Sequence, residues 1–428
     1  MNQIYLRVVA FIFPLFISAQ GYAEYITGNT TDVTTSHNFG ICLMGGATEN
    51  DNAMRWFLQQ ANGGDVVVLR TSGTDGYNNY FFQELGITVN SVRTFVINTI
   101  TGATDPYVID KVEKAEAIWF AGGDQYTYAA RFKDNALEDA LNEFINIKQG
   151  VIGGTSAGMA ILGNHYFDAA NGTVTSAVAL NNPYHANVSL GYNDFLEIPM
   201  LESVITDTHY DNPDRMGRHA AFMARFAEDQ GARSFGIACE EYTAICVNEN
   251  GEASVFGDYP TYADFAYFIQ ANCVTNYTPE NCVSGQPLTW SNGNEALKVY
   301  KVPGTINGTN TFNIQDWETG SGGSWENWYV NNGSFQSSAT TNPMCNLLNT
   351  QEIEIPEVNV YPNPFNNYIK ITESEFEFDV TLFDVNGKMI TINIGEDNLI
   401  DTSSLSSGVY ILKLDFGDME KSIKLIKD

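Results

Sequence analysis

The residues best suited to chemistry lie at 151–159, Val-Ile-Gly-Gly-Thr-Ser-Ala-Gly-Met. Two β-branched residues lead into paired glycines, and Ser156 follows between Thr155 and Ala157. Gly154-Thr155-Ser156-Ala157-Gly158 has the form G-x-S-x-G, in which a strand turns sharply into a helix with the serine exposed at the apex. Small neighbours are required there, because the turn is strained and the helix crosses close to the strand. The same turn aims the Ala157 amide at the place where an oxyanion would form.

A serine hydroxyl becomes a nucleophile only when a base takes its proton. The chain has five histidines, His37, His165, His185, His209 and His219. His37 precedes the first strand, in a Thr- and Ser-rich lead. His165 and His185 fall in an Asn-rich stretch expected to be a surface excursion, and His219 lies inside a helix expected over 213–226. His209 follows a strand expected over 201–207, so by elimination it is the base. The carboxylate that orients it should sit at another strand end. Glu240 and Glu241 follow the strand 234–239 and either would serve, although an acidic pair in such a place also reads as a solvated turn.

These residues need a frame that brings strand ends together. Apolar strands are expected at 39–44, 65–70, 92–97 and 115–120, with helices over 50–61, 80–85, 107–112 and 126–147. Strands alternating with helices make βαβ units and a parallel sheet. Ligands in such sheets bind beyond the carboxyl ends of the strands. Gly45-Gly46, Gly122-Gly123 and Ser156 all fall at those ends, so they should gather at one rim.

The formal net charge of −30 is spread along the chain, which argues against nucleic acid as a partner. Arg7 and the apolar run 8–17, followed by Ser18-Ala19 and Ala23, read as a secretory signal peptide over residues 1–23. Export makes disulfides permissible. Of the six cysteines, Cys273 and Cys282 share a polar loop and are expected to pair, whereas Cys42 in an apolar strand reads as a buried thiol. No cysteine spacing resembles a zinc site, and nothing asks for a metal or cofactor.

Gly122-Gly123-Asp124-Gln125, the elbow, Asp207-Thr208-His209-Tyr210 and the run Gly-Ile-x-x-x-Glu-x-Thr-Ala at 236–244 resemble, in this order, the cyanophycinase and peptidase E family of serine peptidases. The similarity covers roughly residues 38–315 and is strongest to cyanophycinase. It implies an α/β fold of the class I glutamine-amidotransferase kind, a mostly parallel sheet flanked by helices. It further implies Ser156 as nucleophile, His209 as base and Glu241, rather than Glu240, as the orienting carboxylate. The oxyanion hole would combine the Ala157 amide with an amide at Gly123 or Asp124, while Gln125 and Asp207 would position substrate. Thr208 stands where the family carries glutamine. Pro213 and Asp214 interrupt an arginine series of which Arg215 and Arg218 remain. Three apart on a helix, those two would share a face and could clamp a substrate carboxylate.

From residue 353 the composition changes. Val-Tyr-Pro-Asn-Pro, Phe-Asp-Val-Asn-Gly and Ser-Ser-Gly-Val-Tyr, with a final Lys-rich strand, resemble the C-terminal sorting domain of type IX secretion substrates. The organisation expected is a signal peptide (1–23), a peptidase domain (24–340), a linker (341–357) and an all-β sorting domain (358–428). The resemblance implies a secreted or surface-attached enzyme that hydrolyses β-aspartyl-type peptides through an acyl-enzyme. Its partners would be a peptide or polyamide substrate and the secretion machinery, with homodimerisation left open. A serine peptidase of another acidic-peptide specificity, and an idle surface-binding protein that kept the fold, remain alternatives.

Overall fold

Val66 and Val68 point into one apolar cluster, and Val67 and Leu69 into another. Such a strand is buried on both faces, and its uninterrupted Val-Val-Val-Leu run is what that position requires. The computed structural model describes residues 20–341, 358, 360–372, 378–395, 398–415 and 420–428. The chain divides into two compact units, Met1–Leu348 and Asn349–Asp428.

The first unit begins β1 (Tyr22–Gly28), β2 (Gly40–Met44), α1 (Asp51–Gln60), β3 (Asp65–Arg70), α2 (Gly76–Asn79), β4 (Ser91–Ile97) and α3 (Ile100–Ala103). There follow α4 (Pro106–Lys114), β5 (Ala117–Phe120), α5 (Gln125–Phe132), α6 (Ala136–Glu143), β6 (Val151–Thr155) and α7 (Ala157–Ala160). Next come β7 (His165–Phe167), α8 (Ser176–Asn181), β8 (Leu190–Tyr192), β9 (Val204–Asp207), α9 (Met216–Gln230) and β10 (Phe235–Cys239). The unit closes with β11 (Ala244–Asn248), β12 (Glu252–Phe256), β13 (Phe265–Ala271), β14 (Leu297–Pro303), β15 (Asn310–Asn313), β16 (Gly320–Ser321), β17 (Ser324–Asn331) and β18 (Ser334–Thr340).

These strands form two sheets. The larger has the order β1-β4-β3-β5-β6-β2-β11-β12-β15-β16, and the other β18-β17-β14-β13-β10-β9-β7-β8. The α/β class is as expected, but a single mostly parallel sheet is not what the chain builds. Only β4, β3, β5, β6 and β2 run parallel to their neighbours in the first sheet, and β1 and β11 onward are antiparallel. The second sheet is parallel at β10–β9 and β9–β7 and otherwise antiparallel. Among the described residues no α-helix intervenes between the strands after β10, and without crossover helices they pair antiparallel.

One apolar cluster lies between the sheets, taking Ile41 and Leu43 from β2 and Ile237 and Cys239 from β10. The far face of the first sheet is covered by α1, whose Met54, Phe57 and Leu58 meet Trp119 of β5. Asn50 fixes the start of that helix by accepting from the Asn52 and Ala53 amides. The far face of the second sheet packs on α8 and α9.

Several expectations change. The leader was expected to end at residue 23, but Tyr22 and Ala23 belong to β1, paired with Ile97 and Val96. Tyr22 is buried edge-on against Phe95, so the fold starts before that boundary; residues 1–19 lie outside the described ones. The single helix expected over 126–147 is broken at Lys133-Asp134-Asn135. Asp134 has φ 59° and Asn135 caps α6 through the Leu137 amide, because short polar side chains favour caps over helix interiors. Cys282 is a free buried thiol, whereas Cys273 is disulfide-bonded elsewhere, so the expected Cys273–Cys282 pair does not form. Cys42 is a buried thiol, as read. Most of the expected linker, 342–357, also lies outside the described residues.

The second unit has its own core, including Phe365, Ile369, Leu382, Leu412 and Leu425. Tyr368–Ile371 is the middle strand of a three-stranded sheet, and Asp379–Asp384, Gly408–Asp415 and Glu420–Lys427 build most of a four-stranded one. Among the described residues no helix is long and apolar enough to cross a membrane.

His165 is no surface residue. It sits on β7 at 1% exposure, its ring 4.1 Å from that of Phe226, and neither ring nitrogen has a partner. Burial lowers its pKa from 6.5 to about 4. Below pH 6.5 the unfolded chain therefore takes a proton here that the folded chain refuses until about pH 4. Stability falls as pH drops through that window, by at most about 1.4 kcal/mol per pH unit for this group. His165→Phe, which keeps a ring against Phe226, should flatten the acid limb of a denaturant-midpoint profile between pH 6.5 and 4. An unchanged slope would show that His165 is not held neutral.

Candidate active site

The elbow is built by close approach. A Cβ on Gly154 would lie 2.6 Å from the Gly158 carbonyl carbon, and one on Gly158 would lie 2.1 Å from the Phe120 carbonyl oxygen. Both positions therefore exclude any side chain. Ser156, between them, takes φ 53° and ψ −118°, a strained conformation for a residue with a Cβ. That turn lifts the hydroxyl off the end of β6 while α7 begins at once behind it.

His209 stands at the end of β9 with φ 48°. Its Nε2 is 2.8 Å from Ser156 Oγ, and its Nδ1 is 2.6 Å from Glu241 Oε1. With Nδ1 donating to the carboxylate, Nε2 carries a lone pair toward the hydroxyl, the tautomer that lets it accept the serine proton. The His209 hydrogen bond holds the Glu241 carboxyl below its usual range, against the opposing effect of burial, and Asn212 helps. Asn212 donates to Glu241 Oε2 at 3.4 Å, and the Glu241 amide donates to Asp211 at 3.1 Å. Glu240 turns the other way. It accepts from the Tyr267 hydroxyl and the Phe265 amide, and burial raises its pKa to about 7.

The three groups come from two sheets. Ser156 ends β6 of the first; His209 and Glu241 follow β9 and β10 of the second. The end of β2 joins them through three consecutive carbonyls. Met44 accepts from the Ser156 amide at 3.1 Å, Gly45 from that of His209 at 2.8 Å, and Gly46 from that of Tyr242 at 3.1 Å. Gly46, at φ 118°, leaves the space the imidazole fills, since a Cβ there would be 2.4 Å from the ring. The sequence marked Gly45-Gly46 as a rim turn, but not as this brace.

Beside the serine, a Cβ on Gly122 would come within 3.6 Å of Ser156 Cβ, so the Gly122-Gly123 turn borders the hydroxyl. Asp124 caps α5, accepting from the Tyr126 amide and the Thr127 hydroxyl. Gln125 opens that helix, half-buried.

The remaining expected site residues face inward. Asp207 and Arg218 form a bidentate pair, Nε to Oδ2 at 2.8 Å and Nη2 to Oδ1 at 2.5 Å, each side chain 4% exposed. Burial pushes the Asp207 carboxyl up, and the Arg218 guanidinium overrides it and holds the group low. Thr208 is buried, and its carbonyl accepts from Arg215 Nη1 at 2.8 Å. Arg215 precedes α9 as its N-cap rather than sharing a helix face with Arg218. Burial and then the neighbouring Arg218 charge lower its pKa. The expected carboxylate clamp is thus not assembled: Arg218 already has its carboxylate, and Arg215 is turned to the Thr208 backbone. A forked cation close to Asp207 in a dry setting takes that partner first.

Ser156 and His209 instead open on a cavity of ≈ 780 Å³ lined also by Glu49, Asp51, Arg70, Tyr77, Tyr80 and Glu84. Among the described residues on this wall Arg70 is the one cation beside three carboxylates, and its guanidinium donates to the Ser72 and Thr74 carbonyls. Glu49 accepts from the Tyr77 hydroxyl, and Asp51 from that of Tyr80 at 2.9 Å. Sequence reading missed this wall because it comes from α1, α2 and the π-turn after it, whose polar faces carry no motif. Among the described residues no cluster of His, Cys, Asp and Glu is suited to a metal.

Residues 359–428 match the family described as "Secretion system C-terminal sorting domain". The chain is 26% identical over 176 residues to a cyanophycinase of Geminocystis herdmanii, covering 41% of this chain and 58% of that one. It is 23% identical over 238 residues to a cyanophycinase of Synechococcus elongatus, covering 53% and 68%. Among solved structures it is similar to a peptidase from an acI-B1 actinobacterium, with TM-score 0.37 and 15% identity over 52% of this chain and 88% of that one. The chain thus resembles cyanophycinases over about half its length, spans 58% of the first of these relatives, and carries a secretion sorting domain at its end.

Proposed function

We propose that this protein is an exported serine peptidase that hydrolyses β-aspartyl-type peptides through Ser156, His209 and Glu241. The observation that carries the reading is the unbroken relay from Glu241 through His209 to a strained serine that opens on a cavity. Ser156 Oγ attacks the scissile carbonyl while His209 Nε2 takes its proton, and Glu241 stabilises the imidazolium. The Ala157 amide, with one at Gly123 or Asp124, receives the negative oxygen. His209 then protonates the leaving amine, and water activated by the same ring releases the acyl group. The similarity to cyanophycinases supports peptidase chemistry, and the matched tail supports delivery by type IX secretion to the surface or beyond.

The cavity wall refines the substrate. Three carboxylates against one guanidinium favour a peptide with a cationic side chain near the scissile bond, and the Arg70 guanidinium is already engaged over the Tyr77 ring. An acidic side chain there would meet like charge.

A fluorophosphonate probe should label the folded protein once, at Ser156, and labelling should vanish in Ser156→Ala. Glu241→Gln should stay folded and lower turnover roughly 10²- to 10⁴-fold. A folded protein that never labels would instead be an idle binder.

Substrate charge is tested by comparing kcat/KM for β-aspartyl dipeptides carrying arginine, leucine or glutamate. Arginine should be preferred, and Glu49→Gln combined with Glu84→Gln should shrink that preference roughly tenfold, a charge-assisted contact being worth about 1.5–3 kcal/mol. Equal preference in variant and parent would remove the acidic wall from substrate recognition.

A further inference from the structure

Outside the relay, the most pointed unassigned feature is a pair of thiols at the root of the brace. Cys42 on β2 and Cys246 on β11 are directly opposed in antiparallel register, with sulfurs 3.7 Å apart. Both are core residues, at 0% and 1% exposure, and both point to the α1 side of the first sheet. We propose that Cys42 and Cys246 become a cross-strand disulfide that staples β2 to β11 in the exported protein.

The backbone pattern supports this. The Gly45 amide donates to the Thr243 carbonyl, which puts that opposed pair at a hydrogen-bonded position of the β2–β11 ladder. The Met44 carbonyl points the other way, to Ser156. Alternation along the ladder then makes Leu43/Ile245 a hydrogen-bonded pair and Cys42/Cys246 a non-hydrogen-bonded one. In that kind of pair the Cα atoms approach to about 4.5 Å, within the range a disulfide spans. Among the described residues no other cysteine lies in this cluster. Cys239 lies in the core between the sheets and its thiol is directed at the Leu43 carbonyl at 3.7 Å. Cys282 belongs to a separate cluster with α8 and α9.

The matched sorting tail sends the chain to an oxidising compartment, where disulfides persist. The oxidant is a protein disulfide of that compartment. One cysteine thiolate attacks it, forming a mixed disulfide and releasing the oxidant's first sulfur as a thiol. The second cysteine thiolate then attacks the mixed disulfide and expels the oxidant's other sulfur. The pair loses two protons and two electrons, and the oxidant leaves as a dithiol. Because burial raises the Cys246 thiol's pKa well above normal, exchange belongs to the stage before the sheet closes, and the finished bond is shielded from reductants.

The consequence is mechanical. The staple sits just before Met44, Gly45 and Gly46, and just after Glu241 and Tyr242, so it ties together the segments that hold the relay. It closes a span of 204 residues, long enough for cross-linking to restrict the unfolded chain strongly. This inference rests on export and does not depend on the peptidase reading.

The test is disulfide mapping of full-length protein recovered from an oxidising compartment. The protein is denatured and alkylated without reductant, then digested and analysed by mass spectrometry. The expected result, beside the disulfide of Cys273, is a linked pair of peptides containing Cys42 and Cys246, two hydrogens lighter than the sum of its thiol forms, with Cys239 and Cys282 alkylated. Alkylated Cys42 and Cys246, or either one joined to a different cysteine, would overturn the proposal. In parallel, denaturation with reductant present should lower the parent's Tm by roughly 5 °C more than that of Cys42→Ala/Cys246→Ala. Equal reductant sensitivity would also count against the staple.

Discussion

Three carbonyl oxygens in a row, those of Met44, Gly45 and Gly46, hold the site together. Each takes the amide of a different segment: the serine turn, the histidine turn and the turn after Glu241. Without them the relay would be three side chains on two sheets, each free to drift by the fraction of an ångström that separates a hydrogen bond from a mere contact. Hydrogen bonds from side chain to side chain cannot do this alone, because they position only the tips. The backbone of β2 positions the roots.

That arrangement stores strain as well as order. Ser156, His209 and Tyr242 all have positive φ, at 53°, 48° and 62°. Each such non-glycine conformation costs of order 1–3 kcal/mol. The amides of these same three residues are the ones bound by the end of β2, so each strained residue is held by a hydrogen bond at its own nitrogen. The strain is offset by a cluster of buried contacts that includes Ile41 and Leu43 on β2 and Ile237 and Cys239 on β10. The turns can depart from relaxed geometry because the strands that lead into them are fully buried and cannot follow.

Much of this was legible in the sequence, and the reasons are local. Ser156 is announced by the glycines that steric crowding demands on either side. His209 and Glu241 are announced by their places just after apolar strands. What stayed hidden depended on partners distant in the chain. Nothing near Asp207 or Arg218 shows that they pair in the interior rather than face a ligand. Little around His165 shows that it pairs between β9 and β8, since its strand is three residues long and is flanked by Gly163-Asn164 and Asp168. The second sheet was missed for a similar reason. Residues 235–330 contain strands without intervening helices, a pattern that fixes antiparallel pairing but not which sheet receives it.

The inward turn of Arg218 reverses the electrostatics one would draw from the motif. Two arginines close to His209 suggest a site built for a substrate carboxylate. Once Asp207 neutralises Arg218 in a dry setting and Arg215 is held against the Thr208 carbonyl, the second sheet's half of the site offers little free positive charge. The opposite wall, from α1 and α2, then decides the polarity, and it is acidic. In a protein with a formal net charge of −30, exposed carboxylates are unremarkable singly. Glu49 and Asp51 are distinguished by tyrosine hydroxyls that hold them in place in the cavity on which Ser156 opens. Fixed carboxylates lining a cavity act on a ligand more strongly than mobile ones in water, because less reorganisation is needed when the ligand arrives. The same chain thus separates its charges by place, with Asp207 and Arg218 paired in the interior and a bordering acidic wall that lines the cavity.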